Sequence, residues 1–330
     1  MRKILTAFAF MLCLLWGCEA PKQTDLAQNQ QAGSGKLITV LVWNIQNGMW
    51  SDQGNNYDNF VEWVKGYKPD VCIWCEARSN YQTGSKQSMP KDQVYLPDGW
   101  GELAARYGHS YWAKGGHRDN FPQVITSKYP IHTINKIIGN GADSVVTHGC
   151  GHHQLVVNER VLNFVTLHTW PQKYAFGVSG SAAQKESEAK KGGDYYRLKE
   201  ITYICDHTIG KAQDPVNEWW LMAGDFNAVS PKDNWVYGYP EESTKLLTHR
   251  YILENTPYID VIWQRHQRNF YTTTFEKKRI DFIYCSPALY EAMSDAQIVE
   301  DEYTRPVRSE KVKGWQYPSD HLPIIAIFKF

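Results

Sequence analysis

A strand, a helix and a second strand follow one another closely near the start of the folded part of the chain. The run Leu37–Trp43 is apolar and rich in β-branched residues, which predicts a buried strand, and Val71–Cys75 predicts another. Between them, Tyr57–Tyr67 carries apolar residues at helical spacing, and Pro69 ends the pattern. Two strands joined tightly through a helix form a βαβ unit, in which the strands are parallel, so the chain is predicted to contain a parallel or mixed sheet covered by helices.

Polar side chains follow the predicted strands. Asn44 and Glu76 end the two strands of the βαβ unit, and ligands bind at that edge in open α/β sheets. Later in the chain, the buried strand Trp219–Ala223 is followed by Asp225 and Asn227. Residues two apart on an extended backbone point to the same side, so a carboxylate and an amide face one spot that suits a hard cation or a phosphate. The simpler alternative is an Asx turn that only closes the strand.

Four further polar residues lie beside predicted strands, and these are His168, Asp281, Asp320 and His321. Each has a simple structural explanation when taken alone. His168 could be a hydrogen-bonded core histidine, and Asp320 with His321 could form a surface turn. Together with the four residues above, however, they make eight polar residues at or beside the ends of predicted strands. This repeated position predicts that they gather in a single polar site.

The motifs around these residues resemble the endonuclease/exonuclease/phosphatase superfamily, which includes deoxyribonuclease, abasic-site endonuclease, neutral sphingomyelinase and inositol-phosphate 5-phosphatase. The resemblance covers about residues 38–330, and one departure from it is Cys75, where many relatives carry Gln. It implies an α/β fold, namely a four-layer α/β/β/α sandwich of two packed mixed sheets flanked by helices, with the site at one end of the sheets. The matching stretches follow the family's order: Trp43-Asn44-Ile45, Trp74-Cys75-Glu76, Ser127-Lys-Tyr-Pro130, Leu167-His168, Gly224-Asp-Phe-Asn227, Arg279-Ile-Asp281 and Ser319-Asp-His321-Leu-Pro323.

The resemblance implies a divalent metal ion and a set of ligands for it. Glu76 matches the main carboxylate ligand, with Asn44 and Asp320 as supporting ligands. Oxygen ligands that leave several waters on the ion fit Mg²⁺, so Mg²⁺ is expected, with Mn²⁺ or Ca²⁺ as alternatives.

The resemblance also implies that water attacks phosphorus with help from side chains. Asp225 is similar to the residue that orients or deprotonates this water, and Asn227 would hold a phosphate oxygen. In-line attack on phosphorus places charge on the equatorial and leaving oxygens, which a metal ion and fixed donors stabilise.

Two histidines complete the implied catalytic set. His321 would act as general base or phosphate stabiliser, held by Asp320. His168 would donate toward the phosphate or the leaving group, oriented by Asp281. An Asp beside a His fixes the tautomer of the ring and raises its basicity.

The first residues have the pattern of a bacterial secretory signal. Arg2 and Lys3 precede the apolar run Ile4–Gly17, which is too short to span a bilayer. Residues 1–17 are therefore predicted to be a signal peptide. The run ends next to Cys18, which resembles a lipoprotein signal in which this cysteine becomes the lipidated first residue. An ordinary signal peptide with an incidental Cys is the alternative.

The domain prediction follows from this start. Residues 18–36 are polar and rich in Gln, Ala and Gly, and they predict a flexible tether. Residues 37–330 form the predicted catalytic domain. We therefore expect a lipid-anchored monomer of the bacterial cell envelope, periplasmic or surface-exposed.

Charge and composition bear on the substrate. Lys+Arg and Asp+Glu both number 35, and without residues 1–17 the counts are 33 and 35. Such a balance argues against tight non-specific binding of nucleic acid. We predict a hydrolase of phosphate esters, either a phosphodiesterase or a phosphatase, whose substrate is a phosphorylated small molecule, glycan or lipid head group. A secreted endonuclease and a sphingomyelinase-like phospholipase are the alternatives, and a non-catalytic binding module is a further one.

Three other features lead to structural expectations. The cysteines outside the signal are expected to pack in the core, with at most one disulfide. The histidines of residues 148–153 are interpreted as a surface loop rather than a metal site. Residues 172–193 are interpreted as a mobile insertion, followed by a helix from Asp194 to about Ile209.

Overall fold

The structure is a computed structural model that describes residues 35–82, 87–90, 99–116, 121–139, 141–267, 269–305 and 317–330. The predicted signal peptide and all of the predicted tether except residues 35 and 36 lie outside these ranges. Within them, no helix has both the length and the apolar character needed to cross a membrane.

Twelve strands form two six-stranded sheets. The first sheet has the order β11-β12-β1-β2-β4-β3, and the second has the order β5-β6-β7-β8-β10-β9. The strands are β1 Leu37–Asn44, β2 Val71–Cys75, β3 Tyr111–Lys114, β4 Val124–Ser127, β5 His132–Ile137, β6 Cys150–Val157, β7 Arg160–His168, β8 Trp219–Asp225, β9 Ile259–Asp260, β10 Asp281–Cys285, β11 Met293–Ile298 and β12 Ile324–Lys329.

The described α-helices flank the two sheets. They are α1 Asp58–Tyr67, α2 Trp100–Arg106, α3 Ser181–Ala189, α4 Gly192–His207, α5 Asn234–Tyr237, α6 Leu247–Asn255, α7 Val261–Arg265 and α8 Pro287–Glu291, besides the distorted helical turn Gln46–Met49 that follows β1. Strands β1 and β2 are parallel and joined through α1, which confirms the predicted βαβ unit. Strands β7 and β8 are also parallel, whereas the other pairs are antiparallel, so both sheets are mixed.

The core has three apolar layers, and the alternation of side chains along β1 shows how they arise. Val40 and Val42 point into the cluster between the two sheets, which also contains Phe164 and Leu221. The intervening residues of β1 point the other way, into an outer cluster between the first sheet and the helices, as expected when successive side chains of a strand alternate. A third cluster lies between the second sheet and helix α4. Helix, sheet, sheet and helix thus form the four-layer α/β/β/α sandwich that the sequence predicts.

The interpretation of residues 148–153 as a surface loop is wrong. Strand β6 begins at Cys150 and pairs with both β5 and β7, so it is an interior strand of the second sheet. His148, His152 and His153 are all buried. Two of them keep polar partners there, since His152 Nε2 lies 2.9 Å from Asn163 Oδ1 and the Nδ1 atom of His153 also has a hydroxyl partner. Because buried polar groups need hydrogen-bond partners, these contacts allow the imidazoles of His152 and His153 to lie on an interior strand.

Two other expectations need correction. The predicted mobile insertion contains the helix α3, and α4 begins at Gly192, two residues before Asp194. Helix α3 has no buried residue, which explains why it carries no hydrophobic periodicity. The described cysteines are all buried and free, so no disulfide forms among them, whereas their expected role in core packing is confirmed.

A buried arginine anchors the chain where it enters β10. Arg279 is 1% exposed and forms a bidentate pair with Asp260, with distances of 2.9 and 2.7 Å. Its Nε atom donates to Asp233 Oδ2 at 2.8 Å. The guanidinium compensates the burial of both carboxylates, and the three side chains together fix the backbone two residues before Asp281.

Replacing Asp260 with Ala is expected to lower the free energy of unfolding by about 3 kcal/mol, because it leaves a buried guanidinium with half of its partners. Urea unfolding measures the effect. Asp295→Ala is the matched control, since its pair with Arg265 is exposed, and we expect a change within about 0.5 kcal/mol. Equal effects of the two substitutions would contradict the anchoring role of Arg279.

Candidate active site

The site forms where β7 and β8 end side by side. In the parallel register of these strands, His168 lies opposite Asp225. The strands approach closely because Gly224 of β8, which has φ +148°, carries no side chain toward β7. A Cβ atom at this position would lie 1.9 Å from the carbonyl oxygen of Leu167. A side chain there would separate the strand ends and move the histidine away from the carboxylate.

Asp225 is at the centre of the site and is 1% exposed. Its Oδ2 atom accepts a hydrogen bond from Asn44 Nδ2 at 3.0 Å and lies 3.6 Å from His168 Nε2 and 3.9 Å from His321 Nε2. The Oδ1 atom accepts from the backbone N–H of Asn227 at 2.8 Å. One carboxylate oxygen therefore lies between two imidazoles, and it connects the first sheet to the second through Asn44.

The environment of Asp225 changes its acidity. Burial, and next the negative charge of Asp281, raise the pKa of the Asp225 carboxyl from 3.8 to about 7. A carboxylate whose pKa lies near neutrality can accept a proton from water and release it again at physiological pH.

Asp281 pairs with His321, and this pairing corrects two predictions. Asp281 Oδ2 lies 2.7 Å from His321 Nδ1, so Asp281 orients His321 and not His168. Asp320, which was expected to hold His321, is exposed and lies 3.8 Å from the opposite ring nitrogen, Nε2. Burial favours the neutral ring, but the charge and hydrogen bond of Asp281 outweigh it and raise the pKa of His321 well above its usual range. Asp281 therefore favours the protonated form of His321, whose Nε2 faces Asp225.

Glu76 follows β2 in an uncommon backbone conformation. Its φ is +52°, in the left-handed region, and its carbonyl accepts hydrogen bonds from the N–H groups of Gly48 and Arg78 at 2.9 and 2.7 Å. Its Oε2 atom accepts from the N–H of Asn47 at 3.0 Å, which fixes the carboxylate toward the site. A strained residue held by several hydrogen bonds is frequent at functional sites.

The surroundings of Glu76 fit a divalent cation. Burial, and next the charge of Asp320, raise the pKa of the Glu76 carboxyl, so the two carboxylates repel each other without a cation between them. Two such groups with free lone pairs suit a hard ion. In the observed orientation, Asn44 Nδ2 donates toward both Glu76 and Asp225, and its Oδ1 accepts from the N–H of Gln46, so this amide positions the carboxylates. Its role as a metal ligand remains a prediction.

A second group of ionisable side chains also meets the spacing of a metal site. Ligand atoms of Asp225, Asp281 and His321 lie within 4.8 Å of one another. The 2.7 Å hydrogen bond between Asp281 and His321 already occupies one atom of each, so a metal ion there would have to break it. We therefore favour Glu76 and Asp320 as the ligand pair and interpret the second group as acid–base machinery.

His168 is oriented by packing rather than by a carboxylate partner. It is 2% exposed, and among the described residues neither of its ring nitrogens has a hydrogen-bond partner. The ring stacks on His148 with centroids 4.5 Å apart. Burial, and next the charge of His148, lower the pKa of His168 well below its usual range, so the ring is neutral. A buried neutral imidazole with unused nitrogens can donate to an oxygen that a substrate brings.

Asn227 lies at the edge of this group. Its φ is +46°, and its Nδ2 atom donates to the carbonyl of Thr169 at 3.1 Å, which ties the loop after β8 to the end of β7. The second hydrogen of that amide is available to a ligand. Its predicted role in holding a phosphate oxygen remains a prediction.

His148 and Glu200 lie beside the site, although the sequence pattern did not predict a place for them there. Glu200 comes from helix α4 and is fully buried, and its two oxygens accept hydrogen bonds from the N–H groups of Thr147 and Trp170, each at 2.8 Å. It therefore fixes the segment that carries His148 against the segment that follows His168. Glu200 occupies a buried position of a predicted helix, where a charged residue is unusual. In the sequence, only this unusual position could have indicated a special role for Glu200.

Replacing Glu200 with Gln is expected to lower kcat about tenfold with little change in KM, because one of the two backbone N–H groups then faces an NH₂ and the histidine stack shifts. The free energy of unfolding should also fall by about 1–3 kcal/mol. Asp206→Asn, an exposed change on the same helix, is the control and should alter neither quantity. A loss of stability with an unchanged kcat would show that Glu200 has no positioning role.

Two cavities differ in their relation to the site. A cavity of about 380 Å³ is lined by Asn227, Asp320 and His321. A larger one of about 720 Å³ lies at the opposite end of the second sheet, near Arg160 and Trp219, where β7 and β8 begin. The smaller cavity contacts the ionisable cluster, so we assign substrate binding to it and not to the larger one.

A sequence model of the Endonuclease/Exonuclease/phosphatase family matches residues 41–321. No curated protein sequence matches the chain. The match to the family model includes every predicted site residue, from Asn44 to His321.

Several solved structures share the fold at low sequence identity. An AP endonuclease from Archaeoglobus fulgidus aligns with a TM-score of 0.58 at 17% identity, over 88% of this chain and 99% of that one. A 3′ phosphatase from Neisseria bound to a product DNA hairpin gives 0.57 at 17% identity, over 89% and 100%. An endonuclease/exonuclease/phosphatase family protein from Bacteroides thetaiotaomicron gives 0.53 at 16% identity, over 90% and 99%.

Proposed function

The chain belongs to the endonuclease/exonuclease/phosphatase family, whose members are metal-dependent phosphoester hydrolases, and we propose that it hydrolyses a phosphorylated small molecule, glycan or lipid head group. The balance of 35 basic and 35 acidic residues supports this substrate class over a polyanion. The reaction is attack of water on phosphorus. The observation that carries the proposal is the position of Asp225 Oδ2, within 4 Å of the Nε2 atoms of both His168 and His321.

Each of these side chains has a distinct task. Asp225, whose pKa lies near 7, accepts the proton of the attacking water. His321, whose protonated form is stabilised by Asp281, donates to a phosphate oxygen as charge develops on it. His168 is neutral and has unused nitrogens, and it donates a hydrogen bond to an oxygen of the phosphate or the leaving group.

Glu76 and Asp320 would hold the divalent ion, which supplies Lewis-acid stabilisation of the phosphate oxygens when bound. We propose Mg²⁺, because the donors are carboxylate oxygens and the exposed position of Asp320 leaves room for metal-bound waters. The side-chain amide of Asn44 donates hydrogen bonds to both Glu76 and Asp225, and this fixes the two carboxylates relative to each other.

A panel of substrates tests the proposed class. The protein is incubated with Mg²⁺ and with sugar phosphates, sphingomyelin, DNA or RNA, and the release of phosphate, choline phosphate or nucleotides is measured. We expect turnover of a small phosphate ester or a lipid head group. Binding of a ligand without hydrolysis of any substrate would instead favour the non-catalytic binding module.

A secreted nuclease is the second candidate. The Neisseria structure was obtained with a product DNA hairpin, and the smaller cavity of this chain carries lysine side chains at 173, 245 and 278. A nuclease should cleave DNA, and its affinity should fall steeply with salt because phosphate contacts release counterions. Strong cleavage with that salt dependence would reject the small-substrate proposal.

We also propose that the protein is anchored in the bacterial cell envelope through a lipid on Cys18. The support is the short apolar run that ends next to this cysteine. Metabolic labelling with a radioactive fatty acid should mark the wild-type protein and fail to mark Cys18→Ser. Equal labelling of both proteins, or recovery of unlabelled wild type in the soluble fraction, would contradict the anchor.

A further inference from the structure

The cavity beside the catalytic residues is larger than a single phosphate requires. It has a volume of about 380 Å³, and Asn227 and His321 form part of its wall. Its other walls come from the segment after β7, the first turns of α4, the loop near residue 240 and the turn before β10. A substrate whose phosphate contacts His321 therefore has room for its non-reacting part in this cavity.

Two of the four lysine and arginine side chains that line the cavity are paired with adjacent acids. Arg197 Nη2 lies 2.5 Å from Asp194 Oδ1, and Arg197 also donates to the backbone carbonyls of Trp170 and Gln172. Lys278 Nζ lies 2.6 Å from Glu276 Oε2. These pairs build the wall and add little net charge to it.

The other two cations are available. Among the described residues, Lys245 forms no ion pair with a carboxylate, and its Nζ lies 5.5 Å from the centre of the Tyr239 ring, which also lines the cavity. Lys173 Nζ lies 3.5 Å from Glu188 Oε1, which is a longer contact than the 2.6 Å of Lys278 with Glu276, and Lys173 is the more exposed of the two lysines. The pair of Lys173 with Glu188 is therefore weak and easily exchanged. These two lysines are on separate segments of the cavity wall and enter it from the segment after β7 and from the loop that precedes α6.

The charges of the cavity differ from those of the reaction centre. Asp225, Asp281 and Glu76 give the reaction centre an acidic character, which a metal ion and His321 offset. In the cavity, Lys173 and Lys245 remain once the ion pairs between lining residues are counted and Asp320 is assigned to the metal ion. A neutral sugar or alcohol would leave Lys245 without a counter-charge and Lys173 with only its exposed partner Glu188, whereas an anionic group can pair with both ammonium groups.

We propose that this cavity is a subsite for a second anionic group of the substrate, a phosphate carried on the part of the molecule that is not hydrolysed, and that Lys173 and Lys245 bind it. This assignment rests on the proposed phosphoester hydrolysis. It narrows the substrate class to esters that carry two phosphate groups.

Two chromogenic esters that differ by one phosphate test the subsite. Thymidine 5′-(p-nitrophenyl phosphate) and its 3′-phosphorylated form release the same nitrophenol, so kcat/KM for each is measured with Mg²⁺ at low ionic strength. For the wild-type protein, we expect kcat/KM to be about tenfold higher for the 3′-phosphorylated ester, because its additional phosphate makes charge-assisted contacts with the lysines. This preference should fall to about twofold in Lys245→Ala and in Lys173→Ala, and Lys245→Arg should retain most of it.

Lys211→Ala is the matched control, because Lys211 is an exposed lysine that lines the cavity at the opposite end of the sheet. It should keep the wild-type preference. Equal kcat/KM for the two esters in the wild type, or a preference that both lysine variants retain, would overturn the subsite while leaving the hydrolase proposal intact. No turnover of either ester would overturn the subsite, and no turnover of these esters or of the monoester p-nitrophenyl phosphate would contradict the hydrolase proposal as well.

Discussion

Glu76→Gln is expected to lower the Mg²⁺-dependent hydrolysis of bis(p-nitrophenyl) phosphate by about 10³-fold, since it removes the carboxylate that anchors the metal ion. The substitution keeps the size of the side chain, and Gln can still accept a hydrogen bond from the N–H of Asn47, as Glu76 does at 3.0 Å. The fold should therefore persist, and the loss should appear as a higher Mg²⁺ requirement and a lower kcat.

Glu218→Gln is the matched control for this prediction. Glu218 is also partly buried and accepts hydrogen bonds from backbone N–H groups, but it precedes β8 at the end of the sheet far from Asp225. We expect wild-type activity from it. If Glu76→Gln keeps activity within threefold at every Mg²⁺ concentration, Glu76 is not the metal anchor.

His321→Ala should reduce kcat by about 10²–10⁴-fold, the range typical for a group that donates or accepts a proton in the transition state. In the structure, its Nε2 faces Asp225 at 3.9 Å, and its Nδ1 is held by Asp281. His207→Ala is the control, because His207 is half-buried and its ring stacks on Tyr203 away from the site. Activity of His321→Ala comparable to that of His207→Ala would remove His321 from the catalytic set.

A double substitution distinguishes the observed partner of His321 from the predicted one. If Asp281 acts through His321, the double variant Asp281→Asn/His321→Ala should be no slower than His321→Ala alone, because residues that act as a unit are not additive. If Asp281 instead served His168, the two losses would multiply. The ratio of kcat values for the single and double variants decides between these outcomes.

The strand-end residues could be located from the sequence because they depend on local pattern. A βαβ unit forces Asn44 and Glu76 to one edge, and the parallel pairing of β7 with β8 places His168 next to Asp225. The order of strands and helices therefore predicts that these residues lie at the same end of the sheets, even when no side-chain contact is known.

The partner of His321 could not be located in this way. Asp281 reaches His321 across 40 positions of the chain, and an isolated antiparallel bridge between Thr274 and His321 brings the two segments together. In the sequence, Asp320 is the adjacent acid and the simpler partner. Sequence proximity favoured the wrong carboxylate because tertiary register, which the local pattern does not encode, sets the distance.

The missed histidine stack has a related cause. His148 lies in a segment whose composition resembles a loop, and its burial depends on pairing of β6 with strands on both sides. Glu200 stabilises that segment from a helix 53 residues away. Long-range contacts of this kind are hard to predict from a single sequence. The cavity that Lys245 lines is also formed by segments that are far apart in the chain.

Metal-dependent turnover is the measurement that tests the central claim most directly. The purified protein is treated with EDTA, assayed with bis(p-nitrophenyl) phosphate in H₂¹⁸O, and assayed again after Mg²⁺ is added. We predict no hydrolysis after chelation, full recovery with Mg²⁺, and ¹⁸O in the phosphate product. Hydrolysis that survives chelation, or none with Mg²⁺, Mn²⁺ or Ca²⁺, would contradict metal-dependent hydrolysis at the cluster of Glu76, Asp225 and His321, and ¹⁸O in the nitrophenol would contradict attack of water on phosphorus.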